Sequence, residues 1–270
     1  MNKYTDTSYL ELPVFQCKKC NFYVTGESEK EVVEKTKLIY NRIHWGENNS
    51  WDAKTAINNN YTDIKSQSKR RHWVSQYKYC KPYLENKKNI LEIGSGQGQA
   101  AYWFEKEGFL VTAIEPDEHN VKLINKKLNN GRCIVGFAED YEITEKFDII
   151  WMSHVLEHLR KPLQFFENIR KNMKAEGIIL IEVPNCEHDS MLNSSIFLLP
   201  HTFHFSKNSL INLAKKGGFS VVKCDVFRPA TKFEGIVNKL TKSKLKKFQY
   251  WPRIVTSNKK GRFLRLILKI

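Results

Sequence analysis

Long apolar runs are missing from this 270-residue sequence: no stretch approaches the roughly 20 residues that a helix needs to cross a bilayer. The first residues, MNKYTDTSYLELP, also lack the apolar centre of a secretory signal peptide. Cysteine is sparse, with six scattered residues and one close pair, which is not the pattern of a disulfide framework. These absences argue against membrane-spanning and disulfide-stapled secreted classes, and they predict a cytoplasmic protein.

Acidic residues are nearly absent where the sequence is most basic. The chain holds 44 Lys and Arg against 29 Asp and Glu, a formal net charge of +15. Thirteen of those basic residues lie between Arg228 and Ile270, with Glu234 as the single acid among them. The rest of the chain is therefore nearly neutral. Charge placed in this way predicts a partner surface rather than a fold.

Composition divides the chain into four segments. Residues 1–45 are predicted to form a small N-terminal cap that carries the cysteine pair, and residues 46–87 a linker and a lid helix. Residues 88–228 are predicted to form the core, and residues 229–270 a basic amphipathic tail.

Within the core, apolar strand patterns alternate with helical patterns. The strand patterns are NILEI, LVTAI, CIVGF, FDIIWM, GIILIEV and FSVVKCDVF. The helical patterns between them are QAAYWFEKEG, EHNVKLINKKL, PLQFFENIRKNM and KNSLINLAKKGG. This alternation predicts an α/β fold with a doubly wound, Rossmann-like and mostly parallel sheet. Ligands of such sheets bind at the carboxyl ends of the strands.

Three glycines follow the first of these strands. Gly94, Gly96 and Gly98 allow a ligand to approach the backbone closely, and the loop also satisfies the loose dinucleotide pattern. The second strand ends at Glu115, where a carboxylate can accept both hydroxyls of a ribose. NAD-dependent enzymes and methyltransferases share that feature, so these residues indicate a nucleoside without choosing between the two classes.

Further residues carry a resemblance. The order Glu92-x-Gly94-x-Gly96-x-Gly98 resembles motif I of the class I S-adenosylmethionine-dependent methyltransferases. The stretches FAEDYEITEKFDIIWMSHVLEHL, GIILIEVPN and HTFHFSKNSLINLAKKGGFSVV resemble later parts of that family, in its order. The resemblance is closest to the ubiquinone-biosynthesis type and to related enzymes that tailor glycans and small molecules. It implies the methyltransferase fold and S-adenosyl-L-methionine as the cofactor.

The resemblance also implies roles for particular residues. The three glycines would admit the methionyl and adenosyl parts of the cofactor. The other cofactor-binding residues would be Glu92 for the amino group, Glu115 for the ribose, Ala138 and Glu139 for the adenine edge, and Ser153 at the mouth where the methyl group meets its acceptor.

A histidine-rich segment follows the fourth strand of the core. A helical turn would place His154, Glu157 and His158 on one face, and His201 could join them to ligate a divalent metal. Small-RNA 2′-O-methyltransferases resemble this arrangement, with an E-x-x-E-H stretch and a later histidine. In the metal-free alternative His158 packs behind the site, and His154 or His201 serves as a general base.

The cysteine pair raises a second metal question. Cys17, Cys20 and His44 are spaced as in a small zinc finger, although structural zinc takes four ligands and position 40 is tyrosine. Either a degenerate finger packs without metal, or a fourth ligand comes from elsewhere in the chain.

The basic tail has three interpretations. Read as a helix, its final stretch separates basic residues from an apolar face, which favours peripheral contact with an anionic membrane at the inner surface. RNA is the rival partner, and a seventh core strand with a solvated linker is the third interpretation. We expect a methyltransferase that acts on a sugar, a lipid-linked glycan precursor or another small molecule. The alternatives are a metal-assisted RNA 2′-O-methyltransferase and a catalytically silent cofactor-binding scaffold.

Overall fold

The computed structural model describes residues 13–26, 75–197, 201–229 and 253–270. Within these ranges the strands are β1 (Val14–Cys17), β2 (Phe22–Thr25), β3 (Asn89–Ile93), β4 (Leu110–Glu115), β5 (Arg132–Val135), β6 (Phe147–Ser153), β7 (Met173–Pro184), β8 (Phe203–His204), β9 (Ser220–Arg228), β10 (Arg253–Val255) and β11 (Phe263–Lys269). The α-helices are α1 (Gln99–Lys106), α2 (Glu118–Asn125), α3 (Pro162–Ile169), α4 (Asp189–Phe197) and α5 (Lys207–Lys216), and residues 75–80 are also helical.

Eight strands form one sheet in the order β10-β9-β11-β7-β6-β3-β4-β5. The run from β7 to β5 is parallel throughout, whereas β11 pairs antiparallel with both β7 and β9. Helices α3 and α5 pack on one face of the sheet, and α1, α2 and residues 75–80 pack on the other. The predicted doubly wound, mostly parallel α/β fold is therefore confirmed.

Local sequence explains where individual helices start. Asp117 stands before α2, and its carboxylate accepts a hydrogen bond from the Asn120 amide at 2.7 Å. Ser206 and Ser209 form a reciprocal capping box at the start of α5. Because Gly98 is the residue immediately before α1, the glycine loop leads directly from β3 into the first helix of the core.

The final described segment is a strand, as in the third interpretation of the tail, and not the amphipathic helix on which the membrane interpretation depends. In β11, Leu264, Leu266 and Leu268 face one hydrophobic cluster and Ile267 faces the other, and all four are fully buried. A run of apolar residues buried on both sides suits a strand inside a sheet. The apolar face assigned to membrane contact is therefore occupied by the core. Most of the tail, residues 230–252, lies outside the described residues.

A small three-stranded sheet, β1-β2-β8, joins the N-terminal cap to the core. Its hairpin turns through Asn21, which has a positive φ of 54°. Two hydrogen bonds hold this turn against the core: the Cys186 thiol donates to the Asn21 carbonyl at 3.1 Å, and the Ser206 hydroxyl donates to the Cys20 carbonyl at 2.5 Å. The described part of the cap, residues 13–26, therefore lies beside the carboxyl end of β7. Among the described residues, no helix combines the length and apolarity needed to traverse a bilayer.

Candidate functional site

The glycine loop lies at the carboxyl end of β3. Gly94, Gly96 and Gly98 all have positive φ, between 54° and 70°, which explains why glycine occupies each of these positions. The Gly94 amide donates to the Ile114 carbonyl of the adjacent strand at 2.9 Å. A Cβ atom on Gly94 would come within 2.4 Å of Val155 Cγ2, so this glycine also lets two site loops meet.

Glu115 holds the glycine loop from the neighbouring strand. Its carboxylate accepts hydrogen bonds from the Gly96 amide at 2.7 Å and the Asp117 amide at 3.2 Å. Burial nevertheless outweighs these bonds and raises the pKa of Glu115 to about 8. The hydrogen bond to Gly96 places the Glu115 side chain beside the glycine loop. This is the position that the family resemblance predicts for the ribose.

Glu92 lies one strand away and is also buried. Burial, together with the nearby charge of Glu115, raises the pKa of Glu92 to about 8. Within the described part of the chain, its Oε2 atom has no hydrogen-bond partner. A buried, unpartnered carboxylate oxygen is costly unless a donor or a cation reaches it. The residues present thus fit S-adenosylmethionine, which carries an ammonium group and a sulfonium.

The predicted adenine residues lie after β5. Ala138 packs against the core, and Glu139 accepts hydrogen bonds from the backbone amides of Arg160 and Lys161 and from Arg160 Nε. Both residues line an open cavity of about 620 Å³ that is shared with α3. The Glu139 carboxylate is thus committed to the segment before α3, and its contact with adenine stays a prediction.

Ser153 ends β6 at the same edge, and Gln76 reaches it from the helical segment 75–80. The Gln76 side-chain amide donates to Ser153 Oγ at 2.8 Å, and Gln76 is fully buried. Sequence reasoning missed Gln76 because a glutamine in a polar stretch carries no distinguishing pattern. Tyr77, next in the chain, packs edge-on against Trp103 at a ring distance of 4.6 Å, which makes it a core aromatic.

His154 adopts a positive φ of 58° and lies between two carboxylates. Its Nδ1 is 3.3 Å from Glu157 Oε1, and its Nε2 is 3.3 Å from Glu182 Oε1. Desolvation disfavours the charged imidazole, but the two carboxylates outweigh it and raise the pKa of His154 to about 10. This environment argues against His154 as a general base at neutral pH. Through Nδ1 His154 contacts Glu157, another of the predicted metal ligands, but His154 is not among the residues whose ligand atoms converge, so its own role as a ligand stays a prediction.

The other three predicted ligands do converge. Glu157, His158 and His201 each offer one ligand atom, and these atoms lie within 4.8 Å of one another. The rings of His158 and His201 meet edge to face at a centroid distance of 4.6 Å. Glu157 is buried, and within the described residues its Oε2 has no hydrogen-bond partner. Two imidazoles and one carboxylate are the donors of many catalytic zinc sites, so this cluster could hold a divalent cation.

His201 is held from behind by a chain of buried polar side chains. Ser195 Oγ lies 2.7 Å from His201 Nδ1 and 2.7 Å from His204 Nδ1. His204 Nε2 in turn lies 2.8 Å from Thr25 Oγ1 of β2. Burial lowers the pKa of His204 to about 4, so its ring is neutral. Sequence reasoning did not single out Ser195, His204 or Thr25.

The cysteine pair forms a preorganised turn. Cys17 Sγ accepts hydrogen bonds from the backbone amides of Cys20 and Lys19. These bonds, that from Cys20 foremost, lower the pKa of Cys17. Burial raises the pKa of Cys20, whose sulfur accepts from the Phe22 amide. Within the described residues these two sulfurs gain no third ligand in a metal-sized cluster, and His44 lies outside those residues.

The sequence is similar to known methyltransferases. A family model described as "Methyltransferase domain" matches residues 66–224. The tRNA U34 carboxymethyltransferase of Mannheimia succiniciproducens is 27% identical over 168 residues, which cover 56% of this chain and 52% of that protein. The ubiquinone biosynthesis O-methyltransferase of Rickettsia akari is 27% identical over 104 residues, 37% of this chain and 41% of that protein. The chain thus spans about half the length of these relatives or less.

Solved structures share the fold. A SAM-dependent methyltransferase from Archaeoglobus fulgidus superposes with a TM-score of 0.57 at 20% identity, covering 74% of this chain and 94% of that one. Coclaurine N-methyltransferase, bound to N-methylheliamine and SAH, gives a TM-score of 0.53 at 14% identity, with 78% and 74% coverage. At these identities the likeness concerns the fold alone.

Proposed function

Given that the chain belongs to the class I S-adenosylmethionine-dependent methyltransferases, we propose that it methylates a hydroxyl oxygen of a sugar, a lipid-linked glycan precursor or another small polyhydroxyl molecule. When bound, S-adenosylmethionine supplies an electrophilic methyl group. The acceptor oxygen gains this methyl group and loses its proton, so the products are a methyl ether, S-adenosylhomocysteine and a proton. Such a transfer depends mainly on alignment and on deprotonation of the acceptor.

The cluster of Glu157, His158 and His201 carries this proposal. Glu157 and His158 lie in the turn after β6, a few residues beyond Ser153, and His201 joins them from the segment before β8. A divalent cation lowers the pKa of a hydroxyl that it binds and orients neighbouring oxygens. Both nitrogens of His154 lie 3.3 Å from a carboxylate, and these carboxylates raise its pKa to about 10, so the cluster is the stronger candidate for assisting loss of the acceptor proton.

Residues of this chain also suit an acceptor that carries phosphate. Asn185, directly after β7, donates through its side-chain amide to the carbonyls of Asn258 and Gly261 at 2.6 and 2.7 Å. These bonds anchor an exposed basic turn containing Lys259, Lys260 and Arg262 at the carboxyl edge of the sheet. Lipid-linked glycan precursors and nucleotide-linked sugars offer both hydroxyl and phosphate groups, and basic residues at the site entrance favour them.

The cofactor would be held by residues already in place. Glu92 offers an unpartnered carboxylate oxygen to the amino group, Glu115 faces the ribose position, and the glycine loop admits the backbone approach. Ala138, Glu139 and Ser153 complete the proposed cofactor site.

A second candidate is RNA 2′-O-methylation. The same basic turn favours it, as does similarity over 168 residues to a tRNA carboxymethyltransferase. Under this reading the exposed basic residues of the tail, among them Lys259, Lys260 and Arg262, would contact phosphates, whereas the buried Arg265 would not. Peripheral membrane contact, the other proposal for the tail, would now have to rest on residues 230–252, outside the described part of the chain.

Transfer of labelled methyl from S-adenosylmethionine into fractionated extract tests these proposals. We expect label in the saccharide or organic-soluble fraction, lost on chelation and in Glu157→Gln but kept in Glu118→Gln, whose carboxylate is exposed on α2. Ribonuclease-sensitive label would overturn the small-molecule proposal in favour of RNA. If neither chelation nor Glu157→Gln changed the amount of label, the proposal that a cation assists the transfer would be wrong. Bound S-adenosylhomocysteine with no label in any fraction would indicate a silent scaffold.

A further inference from the structure

Four buried side chains connect the cation cluster to the N-terminal hairpin. In order they are His201, Ser195, His204 and Thr25, and each is at most 4% exposed. The three contacts that join them are 2.7, 2.7 and 2.8 Å long. They run from the segment before β8, through α4, to strand β2.

The number of protons in this chain limits its arrangement. The Ser195 hydroxyl has one proton, so at most one of the two Nδ1 atoms beside it can accept from it. A neutral histidine likewise carries one N–H, so one ring nitrogen donates a hydrogen bond and the other ring nitrogen can only accept one. His204 is neutral, because burial lowers its pKa to about 4. When the Ser195 hydroxyl donates to one of the two histidine rings and accepts from the other, the direction of any one of the three hydrogen bonds sets the direction of the other two.

The direction depends on the state of His201. A His201 that ligates a cation through Nε2 must carry its proton on Nδ1 and donate to Ser195. Ser195 then donates to His204 Nδ1, and His204 Nε2–H donates to Thr25. Without a cation, His201 Nε2, 4.0 Å from Glu157 Oε1, is better protonated, because it then faces a carboxylate. All three hydrogen bonds then run the other way, starting from the Thr25 hydroxyl.

On the basis of the cation site proposed above, we infer that Ser195, His204 and Thr25 form a tautomeric relay: they position His201 as a ligand, and they reverse their hydrogen bonds when a cation binds. The N-terminal hairpin is thereby coupled to the site, because Thr25 lies on β2, which pairs with His204 in the ladder between β2 and β8. Tyr23 is opposite His204 in that ladder, so the hairpin also fixes where the His204 ring lies.

The relay predicts effects on affinity that depend on hydrogen bonding rather than on packing. Loss of a side chain that orients a metal-ligating histidine typically weakens metal binding by about 10–100-fold. Ser195→Ala should fall in that range. Thr25→Val keeps the shape of the side chain but removes the hydroxyl, so it should weaken binding less, and Thr25→Ser should restore it. Ser194→Ala is the matched control, since Ser194 is the neighbouring half-buried serine on α4 and lies outside the relay.

The experiment titrates Zn²⁺ into full-length protein carrying ¹⁵N-labelled histidine. The background contains Cys17→Ser and Cys20→Ser so that these thiols do not compete for zinc. We expect His201 to take the Nδ1–H form and His204 to change from Nδ1–H to Nε2–H as zinc binds. S-adenosylhomocysteine binding and thermal unfolding identify any variant that fails to fold, and Thr25→Val then replaces Ser195→Ala as the informative variant.

The outcomes separate the relay from the cation site. Zinc binding with an unchanged His204 tautomer, or with full affinity in both Ser195→Ala and Thr25→Val, would overturn the relay and leave the cation site standing. An absence of zinc binding in folded protein that binds S-adenosylhomocysteine would overturn the cation site and the relay together.

Discussion

Arg265 lies directly opposite Glu182 in the ladder between β11 and β7, and its guanidinium donates through Nε to the Glu182 carboxylate. Both side chains are completely buried. The other oxygen of Glu182 faces His154, so the strand formed by the chain's basic tail reaches the candidate site through a single carboxylate. A buried pair of this kind is costly to separate.

Replacing Arg265 by Met should destabilise the protein by about 3–5 kcal/mol, because Glu182 would remain buried without its guanidinium partner. The free energy of unfolding in urea measures this loss. Arg262→Met, at an exposed position on the same segment, should change it by less than about 0.5 kcal/mol. The double variant Arg265→Met/Glu182→Met should recover part of the stability. A double variant no more stable than Arg265→Met would show that packing, not charge, explains the effect.

Replacing Glu115 by glutamine should weaken cofactor binding at pH 9, where a carboxyl with a pKa of about 8 is ionised. Glu115→Gln keeps the shape but loses the charged acceptor proposed for the ribose hydroxyls. Hydrogen bonds to charged groups contribute about 1.5–3 kcal/mol, so the dissociation constant for S-adenosylhomocysteine should rise by roughly 10–150-fold. Isothermal titration calorimetry gives this value, with Glu118→Gln as the exposed control. Equal affinity in Glu115→Gln and the control would remove Glu115 from the cofactor site.

Two buried carboxyls should make the cofactor-free protein less stable as pH rises. Burial raises the pKa of both Glu92 and Glu115 to about 8, from the ordinary value of 4.5 for a glutamate side chain. Between these values the native state holds protons that the unfolded chain has released, so the free energy of unfolding falls with pH. The stabilisation is present below about pH 4.5 and is lost as pH rises through 8.

The same carboxyls predict proton release on cofactor binding at pH 7. The positive charge of S-adenosylmethionine favours ionised Glu92, so calorimetry in buffers of different ionisation enthalpy should detect protons leaving the protein. Glu92→Gln should reduce that release. Proton uptake in the wild-type protein would contradict this assignment of Glu92.

Gly94 tests the contact between the glycine loop and the segment after β6. Gly94→Ala places a methyl group at positive φ and against Val155, whereas Gly108→Ala has positive φ with no atom within 4 Å of the new methyl. Both should pay about 1–2 kcal/mol for the left-handed backbone. Gly94→Ala should cost a further 1–3 kcal/mol, roughly, from overpacking. Urea unfolding measures both losses, and Val155→Ala should rescue only the additional part. Equal losses at Gly94 and Gly108 would mean that Val155 moves aside freely.

Much of the core was predictable because its signals are local. Each strand pattern from NILEI to FSVVKCDVF became a strand, and each helical pattern between them became a helix. The glycine loop and Glu115 could be placed together because parallel strands present their carboxyl ends at one edge. These inferences need only periodicity and chain order.

Other features depend on contacts between residues that are distant in sequence. FLRLILK fits a basic amphipathic helix as well as a strand, and only the unpaired edges of β7 and β9 select the strand. His154 satisfies the spacing of a metal ligand, yet Glu182, 28 positions later, turns its second nitrogen into an ion-pair donor. Ser195, Gln76 and Thr25 were missed because common polar residues acquire meaning only from their buried partners.

The position of β11 has a consequence for synthesis of the chain. It follows every other described strand in sequence, yet it lies between β7 and β9 in the sheet. While the chain emerges from the ribosome, those two strands therefore wait with exposed backbone donors and acceptors for a partner that has not yet been made. Open strand edges invite pairing with other chains, so the nascent protein is most vulnerable to aggregation in the interval before β11 is released.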